Sequence, residues 1–203
     1  MALLMDVVAA SRSVARTSSR SSKVATLAGL LRTLQGDEVP IATGWLSGVP
    51  RQGRVGVGYS TIHGLAHQGA TEPSLTIADL DAVISELQAT TGSGSATRRR
   101  ALLGGVLARA TPSEADFIRR LFTGELRQGA LVGIMVDAIA RAAEVPLELA
   151  RRAYMLSGDL PRTAQVALAE GEEGLRAFGF ELFRPVLPML ASSADSIPDA
   201  LAG

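Results

Sequence analysis

A chain of 203 residues, 47% of them hydrophobic, is long enough to bury one substantial core or two small ones, so it is not a disordered tail. Aromatic residues make up only 4% of the chain, which favours packed helices over an aromatic-rich sheet. Because there is no cysteine, disulfides and thiolate metal sites are excluded, and a reducing compartment, the cytoplasm, is expected.

The formal net charge is zero, which argues against a protein whose whole surface binds a polyanion. The charges are unevenly distributed, however. Residues 11 to 36 include five basic side chains and no acidic one, whereas six acidic residues and two arginines follow residue 162. This asymmetry predicts one basic face. Of the 20 basic residues only Lys23 is a lysine, so any reaction that needs a lysine must use it.

Three helices are predicted before residue 50. Apolar residues recur at helical spacing from residue 3 to 16, and this run is too short for a membrane span and lacks the basic start of a signal peptide. Hydroxyl side chains predict a second helix start near Ser19 or Ser21, where free amides and basic side chains favour a phosphate. A third, short helix is expected to end near Gly48, with Trp45 in the core.

The glycine-rich stretch RQGRVGVGYSTIHGLAHQGATEP, residues 51 to 73, has no steady helical period and predicts loop and short extended pieces. Its glycines lack the strand and helix that flank a dinucleotide loop, and without a Gly-Lys pair no Walker loop is possible. His63 and His67 are four residues apart, as on a metal-binding helix. No carboxylate lies nearby at ligand spacing, so we expect no metal site.

Start and stop signals divide the rest of the chain up to residue 174 into further helices. Gly124 is expected to end one of them, and a flexible loop from Gly92 to Ser95 precedes another. Helix starts are predicted at Thr76, after the loop that ends at Ser95, at Thr111 or Ser113, at Pro146, and at Asp159 or Leu160. No longer repeat recurs, so about eight helices in an all-α bundle are expected.

Two arginine-containing loops are candidate phosphate contacts. TGELRQGA places Gly124, Arg127 and Gly129 between two helices, where backbone amides and one guanidinium can approach a common point. The same spacing also fits a simple glycine helix end with a solvated arginine. The arginines at 98 to 100, after GSGS, can likewise hold phosphates or form a solvated helix face.

After Gly174 the sequence changes to LRAFGFELFRPVLPML, in which phenylalanine and proline disfavour a helix and suggest a strand. A polar ending follows. We therefore expect a helical domain over residues 1 to 175 and a short, possibly extended unit over residues 176 to 203.

Several stretches resemble the N-terminal DNA-binding domain of ATP-dependent DNA ligases of the bacterial type. The most specific is FIRRLFTGELRQGALVGIMVDAIA, and the others are TSSRSSKVATLAGLL, GSGSATRRRALL and SGDLPRTAQVAL. Together they cover most of residues 1 to 170. The resemblance implies an all-helical domain that binds nicked duplex DNA through minor-groove phosphates, in replication, repair or recombination.

The resemblance also implies which residues contact DNA. Residues that match the family's motifs form three groups: Gly124, Arg127 and Gly129 with Arg120 nearby; Ser19, Arg20 and Lys23; and Gly94, Ser95 and Arg98.

FRPVLPMLA resembles the start of the ligase nucleotidyltransferase domain, which implies that residues 176 to 203 are a linker and a truncated part of that domain. The family's nucleophile lies in a Lys-x-Asp-Gly motif, whereas Lys23 is followed by Val24, Ala25 and Thr26. The chain alone is therefore expected to hold no catalytic residue, cofactor or metal and to be inactive, and the full ligase would use ATP and Mg²⁺. Its expected partners are nicked duplex DNA and the missing domain, with no membrane and no second copy.

The neutral net charge supports an alternative, an α-helical protein-interaction module without DNA affinity. A free-standing enzyme is disfavoured because the sequence offers no catalytic triad, no obvious carboxylate pair and no metal cluster.

Overall fold

The computed structural model describes residues 1–53, 55–65, 69–126 and 131–187, and within these ranges it contains ten α-helices and no strand. The helices are α1 (Leu4–Arg16), α2 (Arg20–Thr33), α3 (Glu38–Leu46), α4 (Tyr59–His63), α5 (Ile77–Ala89), α6 (Ser95–Arg109), α7 (Pro112–Thr123), α8 (Leu131–Ala143), α9 (Leu147–Ser157) and α10 (Leu160–Arg176). The predicted all-α class is confirmed.

The predicted helix starts are confirmed. Most of them are predictable from sequence because a side chain next to the helix start caps it with a local hydrogen bond. Ser19 Oγ accepts the N–H of Ser22 at 3.3 Å and caps α2. Thr76 and Asp79 form a reciprocal capping box at α5. Hydrogen bonds from Thr76, together with the charge of Arg109, hold the pKa of the Asp79 carboxyl below its usual value. Three further helices begin directly after Thr111, Pro146 and Asp159.

The helices pack around one apolar core to which nearly all of them contribute. The α2 helix packs on α8, and α10 packs on α3, α8 and α9. Trp45 is fully buried, as predicted. Each fully buried leucine or isoleucine stabilises the fold by about 1.5–3 kcal/mol, so this core is the main source of stability. No described helix combines the length and apolar character that a membrane span requires.

The glycine-rich stretch departs from the prediction, because it contains the short helix α4. A helix of five residues is too short to produce a detectable apolar period. The stretch is held by Arg99, whose guanidinium donates to the carbonyls of Gly56 at 3.2 Å, Val55 at 3.0 Å and Leu87 at 2.8 Å. One side chain on α6 thus ties this stretch to the end of α5.

A buried carboxylate anchors the same stretch at a second point. Asp81 of α5 is buried and accepts hydrogen bonds from Arg51 and from Gln52 Nε2, the latter at 2.8 Å. The hydrogen bond to Asp81 raises the pKa of the Arg51 guanidinium. Gln52 Nε2 also donates to Ser85 Oγ at 2.9 Å. The chain that follows α3 is therefore fastened to α5 before α4 begins.

The strand suggested after Gly174 is not formed in the described part of that segment, residues 177 to 187. No neighbouring described strand is available, and an isolated strand leaves its backbone groups unpaired. The chain instead passes along α9, where the Leu187 N–H donates to the Met155 carbonyl at 3.1 Å. The predicted division into two units at residue 175 stays a prediction.

Arg99 and Arg100 provide a matched test of the three carbonyl contacts, because Arg100 is exposed and has no hydrogen-bond or ionic partner among the described residues. We expect Arg99→Ala to lower the free energy of unfolding by about 2 kcal/mol, since three charge-assisted hydrogen bonds to backbone carbonyls are lost. Arg100→Ala should change it by less than about 0.5 kcal/mol. Urea denaturation measures both, and equal effects would contradict the structural role of Arg99.

Candidate nucleic-acid interface

The start of α2 presents a basic helix end. Ser19 is exposed and caps the helix, and the first turn contains no acidic residue. The side chain of Lys23 is half-buried and has no hydrogen-bond or ionic partner within the described ranges. Free amides and the helix dipole favour an anion at such an end. The predicted group Ser19, Arg20 and Lys23 thus lies on one helical turn, as its spacing requires.

Arg20 joins this helix end to α8. Its guanidinium donates to Asp137 Oδ2 at 2.7 Å and to the Gly133 carbonyl at 3.3 Å. Asp137 also pairs with Arg151 of α9, at 3.5 Å. The start of α2 therefore lies beside the start of α8, which residues 127 to 130 directly precede in the chain.

The role of Asp137 was missed by sequence reasoning. It is the single acidic residue of α8, and its side chain is only 17% exposed. A lone carboxylate in a mostly apolar helix is a usable signal for a cationic partner, because burying an unpaired charge is unfavourable. Its partner Arg20 is 117 residues away in sequence, so spacing alone does not identify the pair.

At the end of α7, Gly124 has φ of 74°, and its N–H donates to the Arg120 carbonyl. This confirms the predicted helix stop, which needs the left-handed conformation that glycine adopts without strain. The Arg120 guanidinium donates to the Glu125 carbonyl at 3.3 Å and lies 3.9 Å from Asp116. The other two members of this predicted group, Arg127 and Gly129, lie outside the described residues, as does His67.

The third predicted group lies in the turn between α5 and α6. Gly94 has φ of 77° and directly precedes α6, whose first residue is Ser95. Arg98 pairs with Glu86 of α5 at 3.0 Å. The three arginines of this helix start therefore have three different environments, since Arg98 is paired, Arg99 points to backbone carbonyls and Arg100 is solvated. Neither of the two sequence alternatives describes all of them.

The groups do not form one continuous polar network. Among the described residues no hydrogen bond or salt bridge joins the turn at Gly94 to the α2 start. Arg20, Arg98 and Arg120 each have an acidic neighbour, yet their side chains are 56%, 68% and 35% exposed. The pairs of Arg98 and Arg120 involve exposed carboxylates and contribute little stability. Asp137 is only 17% exposed, and Arg151 is its second cationic partner.

Other basic side chains on the surface were not singled out from sequence. Within the described ranges, the guanidinium groups of Arg16, Arg119 and Arg141 have no hydrogen-bond or ionic partner. Arg12 donates to Ser113 Oγ at 2.6 Å and so links α1 to the start of α7. Arg12 and Arg16 belong to the run over residues 11 to 36 that contains no acidic residue, and this run was the sequence feature from which they could have been chosen as candidates. The same described residues contain no cluster of three metal-ligating side chains.

Comparison with known proteins shows which family the sequence of this chain matches. Residues 60–140 match the family model for the DNA ligase N terminus, a region that includes the Gly94 turn and the end of α7. Probable DNA ligases from Saccharopolyspora erythraea, Rhodococcus opacus and Nocardia farcinica are 52%, 50% and 47% identical to the chain over 99%, 98% and 98% of its length. The chain belongs to the DNA ligase family.

The chain corresponds to the family's N-terminal region, as the resemblance predicted. It spans 39%, 39% and 38% of the lengths of these three relatives. The matches to the relatives include the α2 start, which lies before the region matched by the family model. This chain is thus a ligase-associated helical module.

The contact between Arg20 and Asp137 can be measured by a double-mutant cycle. For Arg20→Ala and Asp137→Ala we expect a coupling energy of about 0.2–1 kcal/mol in unfolding experiments, because the pair is partly exposed. The coupling should decrease as salt is added. A cycle of Lys23→Ala with Asp137→Ala is the control and should give a value near zero, so equal coupling in both cycles would contradict the assigned pair.

Proposed function

We propose that this chain is the DNA-binding module of an ATP-dependent DNA ligase. It binds nicked duplex DNA through minor-groove phosphates, so that a nucleotidyltransferase domain can seal the nick in replication, repair or recombination. The observation that carries the proposal is the contact that sets the basic start of α2 beside the start of α8. Two helix N-termini, one of them with Arg20 and Lys23, then face one region, which suits a phosphate backbone.

The phosphate contacts are assigned to the predicted residues. Ser19, Arg20 and Lys23 contact phosphates at the start of α2, and Arg120 lies near the groove. In the segment that follows, Gly124 and Gly129 let the backbone approach the DNA, and Arg127 adds one guanidinium. Support comes from the left-handed Gly124, where the chain leaves α7 towards α8.

The turn at Gly94, Ser95 and Arg98 supplies a separate contact. We assign it to a different part of the duplex from the α2 group. Such separated contacts are useful for holding both sides of a break. Non-specific binding of this kind depends on phosphates and not on base sequence.

The chemistry of ligation is assigned to other parts of the ligase. The single lysine, Lys23, is followed by Val24, Ala25 and Thr26, so the chain has no Lys-x-Asp-Gly motif. ATP and Mg²⁺ would serve the full-length enzyme, which we place in the cytoplasm, and the module would act as a monomer. We expect no covalent AMP on this chain after incubation with ATP and Mg²⁺, and a labelled adduct seen by mass spectrometry would contradict this assignment.

An alternative function is protein interaction without DNA affinity. It is favoured by the zero net charge and by the acidic partners of Arg20, Arg98 and Arg120. Binding of the chain to a labelled nicked duplex, measured by fluorescence anisotropy at about 50 and 200 mM salt, separates the two functions. Salt-sensitive binding without base preference supports the ligase module, and no binding at either concentration supports the alternative.

Single substitutions test the assigned contacts. We expect Arg127→Ala to weaken DNA binding by about 1–3 kcal/mol, because a charge-assisted contact is lost. Lys23→Ala should reduce the slope of log affinity against log salt by about one, since one phosphate contact is removed. Arg176→Ala is the matched control, because Arg176 pairs with Glu172 on α10 and has no assigned DNA contact. An unchanged affinity for Arg127→Ala would remove this residue from the interface.

A further inference from the structure

A stacked aromatic pair lies on the surface of α4. The rings of Tyr59 and His63 are 4.0 Å apart between centroids, with 21° between their planes. Tyr59 is 62% exposed, and His63 is exposed as well. Among the described residues, neither side chain has a hydrogen-bond partner. The open ring surface is thus available to a ligand that can pack on an aromatic face.

The position of the pair is fixed by Arg99. This residue, in the second turn of α6, holds Gly56 through its carbonyl. Tyr59 is three residues further along, so its backbone lies within about 10 Å of Gly56. The α4 helix packs against both α6 and α7, the two helices that carry the Gly94 turn and Gly124. The aromatic pair therefore lies between elements with proposed phosphate contacts.

Two of the segments around the pair are free of acidic residues in sequence, while the third, α7, carries Glu114 and Asp116. Residues 39 to 71, which contain α4, include no aspartate or glutamate, and neither do residues 87 to 113, which contain α6. Arg99 brings these two segments together. Arg100 adds an exposed cation without a described partner. A polyanion is the ligand that suits this combination of positive charge and exposed ring.

We propose that the Tyr59–His63 pair is a DNA contact that packs on a deoxyribose or on a base exposed at the strand break. This rests on the proposed DNA-binding function and adds a contact of a different chemical kind. Aromatic faces beside cations bind nucleic acid without base preference, because every nucleotide offers an apolar face. The contact contributes affinity without neutralising a phosphate, and this distinguishes it from the arginine contacts.

The test compares Tyr59→Ala with the wild-type 203-residue chain on intact and nicked duplexes across a salt series. Tyr59→Ala should weaken binding by about fivefold or more at every salt concentration, with an unchanged salt slope. Tyr59→Phe keeps the ring and should restore the affinity. Tyr59→Leu keeps apolar bulk without the aromatic face and should bind weakly. Phe180→Ala removes a ring that is 83% exposed after α10, and should have no effect.

The outcomes separate this inference from the proposed function. A larger loss on the nicked duplex identifies an exposed base as the target, and an equal loss on both duplexes identifies the sugar. If the wild-type chain binds and a folded Tyr59→Ala or Tyr59→Leu variant binds equally well, the inference is wrong while the proposed function holds. A loss that Tyr59→Phe does not restore also contradicts aromatic packing. If the wild-type chain binds neither duplex, both proposals fail.

Discussion

The packing of α2 against α8 is the constraint on which the candidate interface depends. It brings together two helix starts that are more than 100 residues apart in sequence. Buried apolar side chains on both helices supply most of the energy, since each contributes about 1.5–3 kcal/mol. The exposed contact of Arg20 with Asp137 is much weaker and mainly orients the guanidinium. The core therefore positions the helix ends, and the ion pair adjusts one side chain within that frame.

Ion pairs reduce the free positive charge of the basic face that the charge distribution predicts. Arg20 and Arg98 each have a carboxylate partner on a neighbouring helix, so a DNA phosphate would have to compete with that carboxylate for the guanidinium. Phosphate oxygens accept the same hydrogen bonds from guanidinium. Lys23 and Arg100 differ, because no described carboxylate competes for them. Net charge alone is thus a poor guide to the surface of this ligase-family chain.

Local features of the fold were predictable from sequence, and distant ones were not. The caps at Ser19 and Thr76 and the stop at Gly124 depend on residues within one turn, and the structure has each where expected. Arg99 contacts carbonyls up to 44 residues away, so its spacing gave no sign of an inward role. The short helix α4 is below the length at which an apolar period is visible. Arg127 and Gly129 were singled out by motif, and they remain predictions.

The glycine-rich stretch illustrates why these distant contacts matter for function. Besides Val55 and Ile62, which are buried in the core, it is fixed by Asp81 at one end and by Arg99 further along. Both anchors are polar and lie on α5 and α6, so the stretch is positioned by the same helices that form the Gly94 turn. An aromatic pair and the turn proposed to bind phosphate can then face a single ligand without being joined in sequence. Fixing an aromatic side chain before binding reduces the entropy lost when it packs on a nucleotide, which favours a built contact over an adaptable loop.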